Sequence, residues 1–186
     1  MSEFSRLKKI LTWAKMSITV LAITVATPTS GSEDRAFGFK LAKAQQQQTK
    51  VLERQLACLA RNVFYEANGE PMQGQMAVAQ VTVNRARSGL FPRDLCAVVS
   101  QTTIVGGDRV CQFSWYCNAD RNKLKTLKPS DPSYIAAKRV FLDGQKVANI
   151  DKDVMWFHET SIKVNPRWPH KVATQIGNHV FYKRQR

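Results

Sequence analysis

Residues 56–71 read LACLARNVFYEANGEP, and this stretch decides how the domain folds. Gly69 can end a helix in the left-handed conformation, and Pro71 suits the first turn of a second helix. The pattern therefore predicts two consecutive helices joined by a tight turn. The apolar side chains of the first helix recur with the i, i+3, i+4, i+7 spacing of one helix face, at Leu56, Leu59, Ala60, Val63, Phe64 and Ala67.

Further along the chain the signals alternate between helix and strand. Asp131-Pro132 is a typical helix start and Gly144 a typical stop, while alternating residues on both sides of Gly177-Asn178 predict a C-terminal hairpin. The fold class is therefore α+β, mainly helical with a small C-terminal β-hairpin or sheet. The elements predicted after Pro71 are a helix to Arg87, a short helix at 94–99, a loop or hairpin at 102–128, a helix at 132–143, and strands at 172–176 and 179–182.

The first 50 residues differ in character from the rest of the chain. Basic residues precede the apolar run from Met16 to Ala26, as in a secretory signal, and we predict residues 1–26 to be a signal peptide or a signal anchor. Residues 27–50 include a run of four glutamines and show no apolar period, which predicts a flexible linker. The domain is predicted over 51–186. We expect an exported protein of the periplasm, envelope or medium, held at the membrane if the N-terminal segment is retained.

Composition and charge limit the possible partners. The 186 residues include 28 Lys and Arg against 14 Asp and Glu, a formal charge of +14, and 44% are hydrophobic. This composition excludes a disordered or collagen-like chain and predicts one globular domain, which we expect to be a monomer. The charge favours an anionic partner such as nucleic acid, a lipid surface or a cell-wall polymer. Nucleic acid is the weakest of these, because no nucleic-acid motif is recognised and export would separate the protein from the chromosome.

The cysteines are even in number in a chain predicted to be exported, which favours two disulfides with three possible pairings. We predict the pairs Cys58–Cys96 and Cys111–Cys117. A zinc site is the competing interpretation. It is weakened by the absence of any Cys-x-x-Cys pair and by the wide sequence spacing of the three histidines, and we expect no metal and no cofactor.

Glu66 is the main candidate for chemistry. It lies three residues after Val63 and seven after Leu59, so it is on or beside the apolar face of the first helix. Burial raises the pKa of a carboxyl group and keeps it protonated near neutral pH, as a general acid requires. The alternative is a structural carboxylate paired with Arg61 or Arg85, or bonded to nearby backbone amides.

Other polar or aromatic residues carry weaker signals. We expect Glu70 to be mainly structural, at the N-terminus of the second helix. Asn84-Arg85 would place an amide and a guanidinium either in a cleft or at a solvated helix end. The aromatic segment 112–116 is typical of carbohydrate clefts and equally of a hairpin packed on the core. A basic run is either a solvated face or a surface that steers a polyanion; its members are Arg121, Lys123, Lys125 and Lys128.

Several blocks of sequence, spread over about residues 55–183, occur together in one known family. The blocks are Val63 to Pro71, Gly74-Gln75, Ala77 to Ala79, Val83 to Arg85, Phe91-Pro92, Cys96, Cys111 to Ser114, Cys117, Phe157-His158, Pro166, Trp168 and Ile176 to Tyr182. In this order and spacing they resemble the SleB/CwlJ-type cell wall hydrolases.

This resemblance implies a lysozyme-like domain that cleaves peptidoglycan between N-acetylmuramic acid and N-acetylglucosamine. The family's single essential acid falls on Glu66, and the implied reaction is that of a lytic transglycosylase, in which the C6 hydroxyl of the muramic residue closes a 1,6-anhydro ring. The residues implied to line the cleft, hold the glycan or orient Glu66 are Tyr65, Gln112, Phe113, Ser114 and His158.

A second carboxylate bears on the type of reaction, because ordinary glycosidases use two. The loose candidates are Asp108, Asp120, Asp151 and Asp153, and nothing in their spacing recommends any of them. This favours transglycosylation. The alternatives are a hydrolytic muramidase or glucosaminidase of the same family, and, in a different class, a wall-binding module without catalysis.

Overall fold

The computed structural model describes residues 31–120, 123–164 and 169–184, with side chains from Arg35 onward. The predicted targeting segment 1–26 lies outside these ranges, as do Arg121, Pro166 and Trp168. The chain divides into two compact units, 1–41 and 42–186, and all the side chains that form the candidate site belong to the second. Within the described ranges, no helix has the length and hydropathy needed to cross a membrane.

The first helix is much longer than predicted. Helix α1 extends over Gly31–Ala67, so residues 31–50, predicted as part of a flexible linker, are helical. The reason lies in composition: after Gly38 this segment is rich in Ala, Leu, Lys and Gln, which have high helix propensity, and it contains no proline. A low-complexity Gln run is therefore compatible with a helix here. The end of α1 at Ala67 agrees with the prediction.

Helix α2, Met72–Arg87, is the centre of the domain and is buried on nearly all sides from Gly74 to Ala86. A helix that is surrounded in this way must pack against several elements, and α2 contacts α3, α5 and β3, whose bounds follow. The connection from α1 is a turn in which the Glu70 N–H donates to the Ala67 carbonyl at 2.9 Å. The prediction that Gly69 is left-handed is wrong, because this turn needs no positive φ at that residue.

The segment after α2 contains a short helix, a hairpin and another short helix. Helix α3, Leu95–Val99, is capped by Asp94, whose Oδ1 accepts from the Ala97 N–H at 3.0 Å. Strands β1, Thr102–Val105, and β2, Asp108–Cys111, form an antiparallel hairpin. Helix α4, Ser114–Asn118, was not predicted, because five residues are too few to show a helical period.

Both predicted disulfides are present. Cys58–Cys96 joins α1 to α3, and Cys111–Cys117 joins the end of β2 to α4. Their sequence separations are 38 and 6 residues, so the first closes a much larger loop.

A third long helix and a small sheet complete the domain. Helix α5 is Pro132–Phe141, and Gly144 follows with φ 70°. Strands β3, Val154–Glu159, β4, His170–Ile176, and β5, His179–Arg184, form an antiparallel sheet in the order β3-β5-β4. The predicted C-terminal hairpin is confirmed, and so is the α+β class.

Candidate active site

Glu66 lies in the last turn of α1, between the buried residues Val63 and Ala67 of the same helix face. Its side chain is half-buried and finds neither a hydrogen-bond donor nor an ion-pair partner among the residues that the structure describes. Burial raises the pKa of this carboxyl group from 4.5 to about 7, with Glu159 adding to the rise and Arg85 opposing it. Near neutral pH a large fraction of Glu66 therefore holds a proton that it can donate.

Arg85 is the cation whose charge acts on the Glu66 pKa. It is 3% exposed, its Nε donates to the Met155 carbonyl at 2.7 Å, and its guanidinium lies 5.0 Å from the ring centroid of Phe113 and 5.3 Å from that of Phe91. Burial lowers the pKa of Arg85 to about 10, which still leaves it charged at neutral pH, and Glu66 opposes that fall. Arg85 can therefore stabilise Glu66 as a carboxylate once the proton has been transferred.

Asn84 anchors the end of α2 to the chain that leads into β3. Its Nδ2 donates to the carbonyls of Asp151, at 2.7 Å, and Val154, at 3.0 Å. Asn84 and Arg85 are both buried, so the solvated helix end considered from sequence is wrong. These bonds position β3 relative to α2, and with it the groups at the far end of that strand.

The far end of β3 brings His158 and Glu159 into the site. Glu159 lies opposite His179 in the β3–β5 register, and its charge acts on both Glu66 and His179. His158 Nδ1 is 2.7 Å from the Glu159 carbonyl, which can only accept, so Nδ1 carries the proton. His158 Nε2 then accepts from the Tyr182 hydroxyl at 2.6 Å. This network holds the His158 ring in one orientation.

Glu70 belongs to a separate, buried contact between the α1–α2 turn and the sheet. Its Oε2 accepts from the Asn178 N–H at 3.0 Å, and its Oε1 lies 3.9 Å from His179 Nδ1. Gly177, with φ 57°, makes room for it, because a Cβ there would lie 1.8 Å from Glu70 Oε2. The carboxylate thus binds the β4–β5 turn, and it also lies against the first turn of α2, where a Cβ at Gly74 would be 3.3 Å from Oε2.

An aromatic column, formed by the stacked rings of Tyr65 and Trp115, packs on the last turns of α1. Tyr65 stacks on Trp115 with ring centroids 4.5 Å apart, and its hydroxyl accepts from the Lys125 N–H at 3.2 Å. Trp115 Nε1 donates to Asn62 Oδ1 at 2.9 Å, and the buried Asn62 in turn donates to Thr82 on α2. These contacts fix the orientation of α1 about its own axis relative to α2. They therefore also fix the direction of the Glu66 side chain.

The segment predicted to hold glycan is divided between core and surface. Phe113 is buried and reaches the site through Arg85 and through Phe157, whose ring centroid is 6.4 Å away. Gln112 and Ser114 are exposed on either side of it. The Gln112 N–H donates to the Gln101 carbonyl, and no described contact joins either residue to Glu66. Their roles in glycan binding stay predictions.

The second carboxylate at the site is one that the sequence did not single out. Glu159 acts on the Glu66 pKa, whereas the four aspartates suggested from sequence lie elsewhere. Asp108 begins β2, Asp120 pairs with Lys123, Asp151 precedes β3, and Asp153 lines a groove that does not include Glu66. The only signal for Glu159 was its place directly after Phe157-His158. Nowhere in the described part of the chain do three His, Cys, Asp or Glu side chains gather as a metal would require.

Comparison with known sequences shows which proteins this domain is similar to. The profile of the Cell Wall Hydrolase family, Hydrolase_2, matches residues 69–182, more than half of the chain. Two curated relatives are each called spore cortex-lytic enzyme. One, from Bacillus subtilis strain 168, is 26% identical over 128 residues, and the other, from Oceanobacillus iheyensis, is 28% identical over 129 residues. These matches cover 66% and 67% of this chain but only 35% and 40% of the relatives' own length.

Solved structures support the same fold. The catalytic domain of the germination-specific lytic transglycosylase SleB from Bacillus anthracis matches with a TM-score of 0.54 and 22% identity, over 69% of this chain and 93% of that one. The catalytic domain of Bacillus cereus SleB matches with a TM-score of 0.53 and 21% identity, over 70% and 91%. With a family profile across most of the folded domain and this shared architecture, the chain belongs to the cell wall hydrolase family.

Proposed function

We propose that this protein cleaves the glycan strands of peptidoglycan between N-acetylmuramic acid and N-acetylglucosamine as a lytic transglycosylase, with Glu66 as its acid and base. The observation that carries the proposal is a half-buried carboxyl group with a pKa raised to about 7, at the end of α1 and three residues before the stretch that the Cell Wall Hydrolase profile matches. The related proteins named as spore cortex-lytic enzymes and the SleB lytic transglycosylases support this reaction class.

The chemistry needs one group that gives a proton and then takes one back. Protonated Glu66 donates to the glycosidic oxygen as the bond to the muramic C1 breaks, which leaves Glu66 ionised beside Arg85. The carboxylate then accepts the proton of the muramic C6 hydroxyl while that oxygen bonds to C1. The products are a 1,6-anhydromuramic end and a free N-acetylglucosamine hydroxyl, and Glu66 is protonated again.

Substrate and location agree with the charge of the chain. Peptidoglycan lies outside the cytoplasmic membrane, so this function requires export, and two disulfides are typical of proteins in oxidising compartments. A chain with a formal charge of +14 is attracted to the carboxylates of the wall. We propose an exported enzyme that acts as a monomer and whose N-terminal segment serves as signal peptide or anchor.

Hydrolysis is the second candidate, and Glu159 is the observation that favours it. A second carboxylate that acts on the Glu66 pKa could activate a water molecule, as the paired carboxylates of ordinary glycosidases do. The exposed position of Glu159 leaves it accessible to water. The two reactions differ in their products, one ending in an anhydro ring and the other in a reducing end.

The test is product analysis with matched variants. The full chain, purified with its disulfides intact, is incubated with peptidoglycan, and the soluble products are identified by mass spectrometry. Glu66→Gln keeps the shape of the side chain but removes the transferable proton. Glu53→Gln is the control, because it makes the same chemical change at an exposed position of α1.

Anhydro-muropeptides that vanish with Glu66→Gln and persist with Glu53→Gln are the expected result. If the products instead carried reducing ends and were lost with Glu66→Gln, the reaction would be hydrolysis and not transglycosylation. If several types of wall gave no products while the chain still bound them, the protein would be a wall-binding module.

A further inference from the structure

A large groove has a lining that includes none of the three groups assigned to the chemistry, Glu66, Arg85 and Glu159. Its volume is about 870 Å³, within the range of ligand sites, and it is formed by the end of α2, the loops before β3 and the end of β5. Four basic side chains line it, and all four are exposed: Arg87, Lys146, Lys152 and Arg184. They come from three separate parts of the chain, namely the end of α2, the loop before β3 and the end of β5, so the fold, and not one basic run, brings them together.

The cations of this groove are uncompensated. No ion pair of the described residues involves any of them, whereas Lys123 and Lys138, elsewhere on the surface, pair with Asp120 and Asp143. Arg184 is close enough to His170 to lower the pKa of that ring, together with burial. Four positive charges against the one carboxylate of Asp153 leave the described lining of the groove with an excess of positive charge, which attracts anions.

The groove is not uniformly basic, and this narrows the choice of ligand. Asp153 contributes a carboxylate, and Leu90 and Met155 contribute apolar surface. A phosphate polymer would gain nothing from either feature. A peptide that carries carboxylates, an amino group and alkyl side chains would use all three, and the peptide stems of peptidoglycan have this composition.

The spacing along β3 agrees with a ligand of this length. Met155 lines the groove and Glu159 acts on Glu66, and both are on β3, four residues apart. At roughly 3.3 Å per residue the separation along the strand is about 13 Å. A peptide of four residues reaches up to about 14 Å when extended. A stem of four residues is therefore about as long as the part of β3 that separates Met155 in the groove from Glu159.

We propose that this basic groove binds the peptide stem of the glycan strand through its carboxylates, so that the enzyme recognises stem-bearing strands. The proposal rests on the function proposed above. It assigns Arg87, Lys146 and Lys152 to substrate binding and gives them no part in the chemistry.

The experiment measures binding without turnover. The full chain carrying Glu66→Gln is sedimented with insoluble peptidoglycan freed of phosphate polymers, and with the same material after its stem carboxylates have been amidated. The test variant adds Arg87→Gln, Lys146→Gln and Lys152→Gln. The matched control removes three exposed lysines outside the groove, by Lys50→Gln, Lys128→Gln and Lys163→Gln.

We expect the groove variant to bind native peptidoglycan about ten-fold more weakly than the control at low salt, as three exposed charge contacts would give, with the gap closing as salt rises. Amidation should weaken binding by the control more than binding by the groove variant, which keeps only the general attraction of a basic chain to carboxylates. Lys152→Gln alone changes one exposed side chain and should weaken binding to native peptidoglycan two- to three-fold. This single variant tests the proposal if the triple variant does not fold.

Equal binding by groove and control variants would overturn the proposal. So would an equal loss for both on amidation, because the carboxylates would then be recognised elsewhere. A groove-specific loss seen only with walls that retain phosphate polymers would assign the groove to phosphate instead. Because no product is measured, absence of cleavage would overturn the proposed reaction while leaving stem binding intact.

Discussion

Replacing Glu66 by Gln should make the folded protein more stable at neutral and alkaline pH, although it removes the proposed catalytic acid. The pKa of Glu66 is raised by folding, so the folded state holds this proton more tightly than the unfolded chain does. Below pH 4.5 the group is protonated in both states and costs nothing. As the pH rises to about 7 the unfolded chain ionises first and stability falls, and above that the full penalty applies.

The size of the effect follows from the shift. A pKa raised from 4.5 to about 7 corresponds to about 3 kcal/mol at roughly 1.4 kcal/mol per pKa unit. Because Glu66 is half-buried and keeps some contact with water, we expect about 2 kcal/mol at pH 8. Glutamine has nearly the same volume, so packing around Val63 and Ala67 should change little.

The assay is urea unfolding of the disulfide-bonded protein, followed by circular dichroism between pH 4 and pH 8. The difference in unfolding free energy between Glu66→Gln and wild type should be near zero at pH 4 and grow in favour of the variant toward pH 8. Glu53→Gln should stay within about 0.5 kcal/mol of wild type, as is usual for exposed positions. A variant less stable than wild type at pH 8, or a difference independent of pH, would refute a buried, destabilising carboxylate at Glu66.

Three further outcomes test the surroundings of the site. Glu159→Gln removes a like charge and so lowers the Glu66 pKa; the alkaline limb of the kcat/KM profile should move to lower pH, and an unmoved limb would separate Glu159 from the acid. Gly177→Ala places a Cβ against Glu70 Oε2 at a positive φ, and calorimetry should show a loss of at least about 2 kcal/mol; an unchanged Tm would contradict the packing described. Replacing Cys58 and Cys96 by Ala should cost about 4 kcal/mol and replacing Cys111 and Cys117 about 2, because the first bridge closes the larger loop; the reverse order in urea unfolding would count against this chain-entropy argument.

The local sequence pattern was sufficient to predict those helices and strands whose own residues show a periodicity or a turn signal. The end of α1, the whole of α2 and the C-terminal hairpin follow from apolar periodicity and from turn residues, which depend only on neighbours in sequence. The helix over 31–50 was missed because a Gln-rich segment has helix propensity without a buried face to reveal it. Helix α4 is shorter than two turns and gave no period.

The family and the α+β class follow from motifs and local patterns along the chain. Glu66 follows in the same way as the candidate acid, because its helical spacing places the carboxylate beside an apolar face. The charged groups around Glu66 are brought there by the folding of the chain. Arg85 is 19 positions and Glu159 is 93 positions from Glu66, and the groove cations come from three distant segments. Charge effects depend on the distance between groups in space. The packing of α2 and β3 sets the distances from Arg85 and Glu159 to Glu66, and no pattern along the chain encodes them.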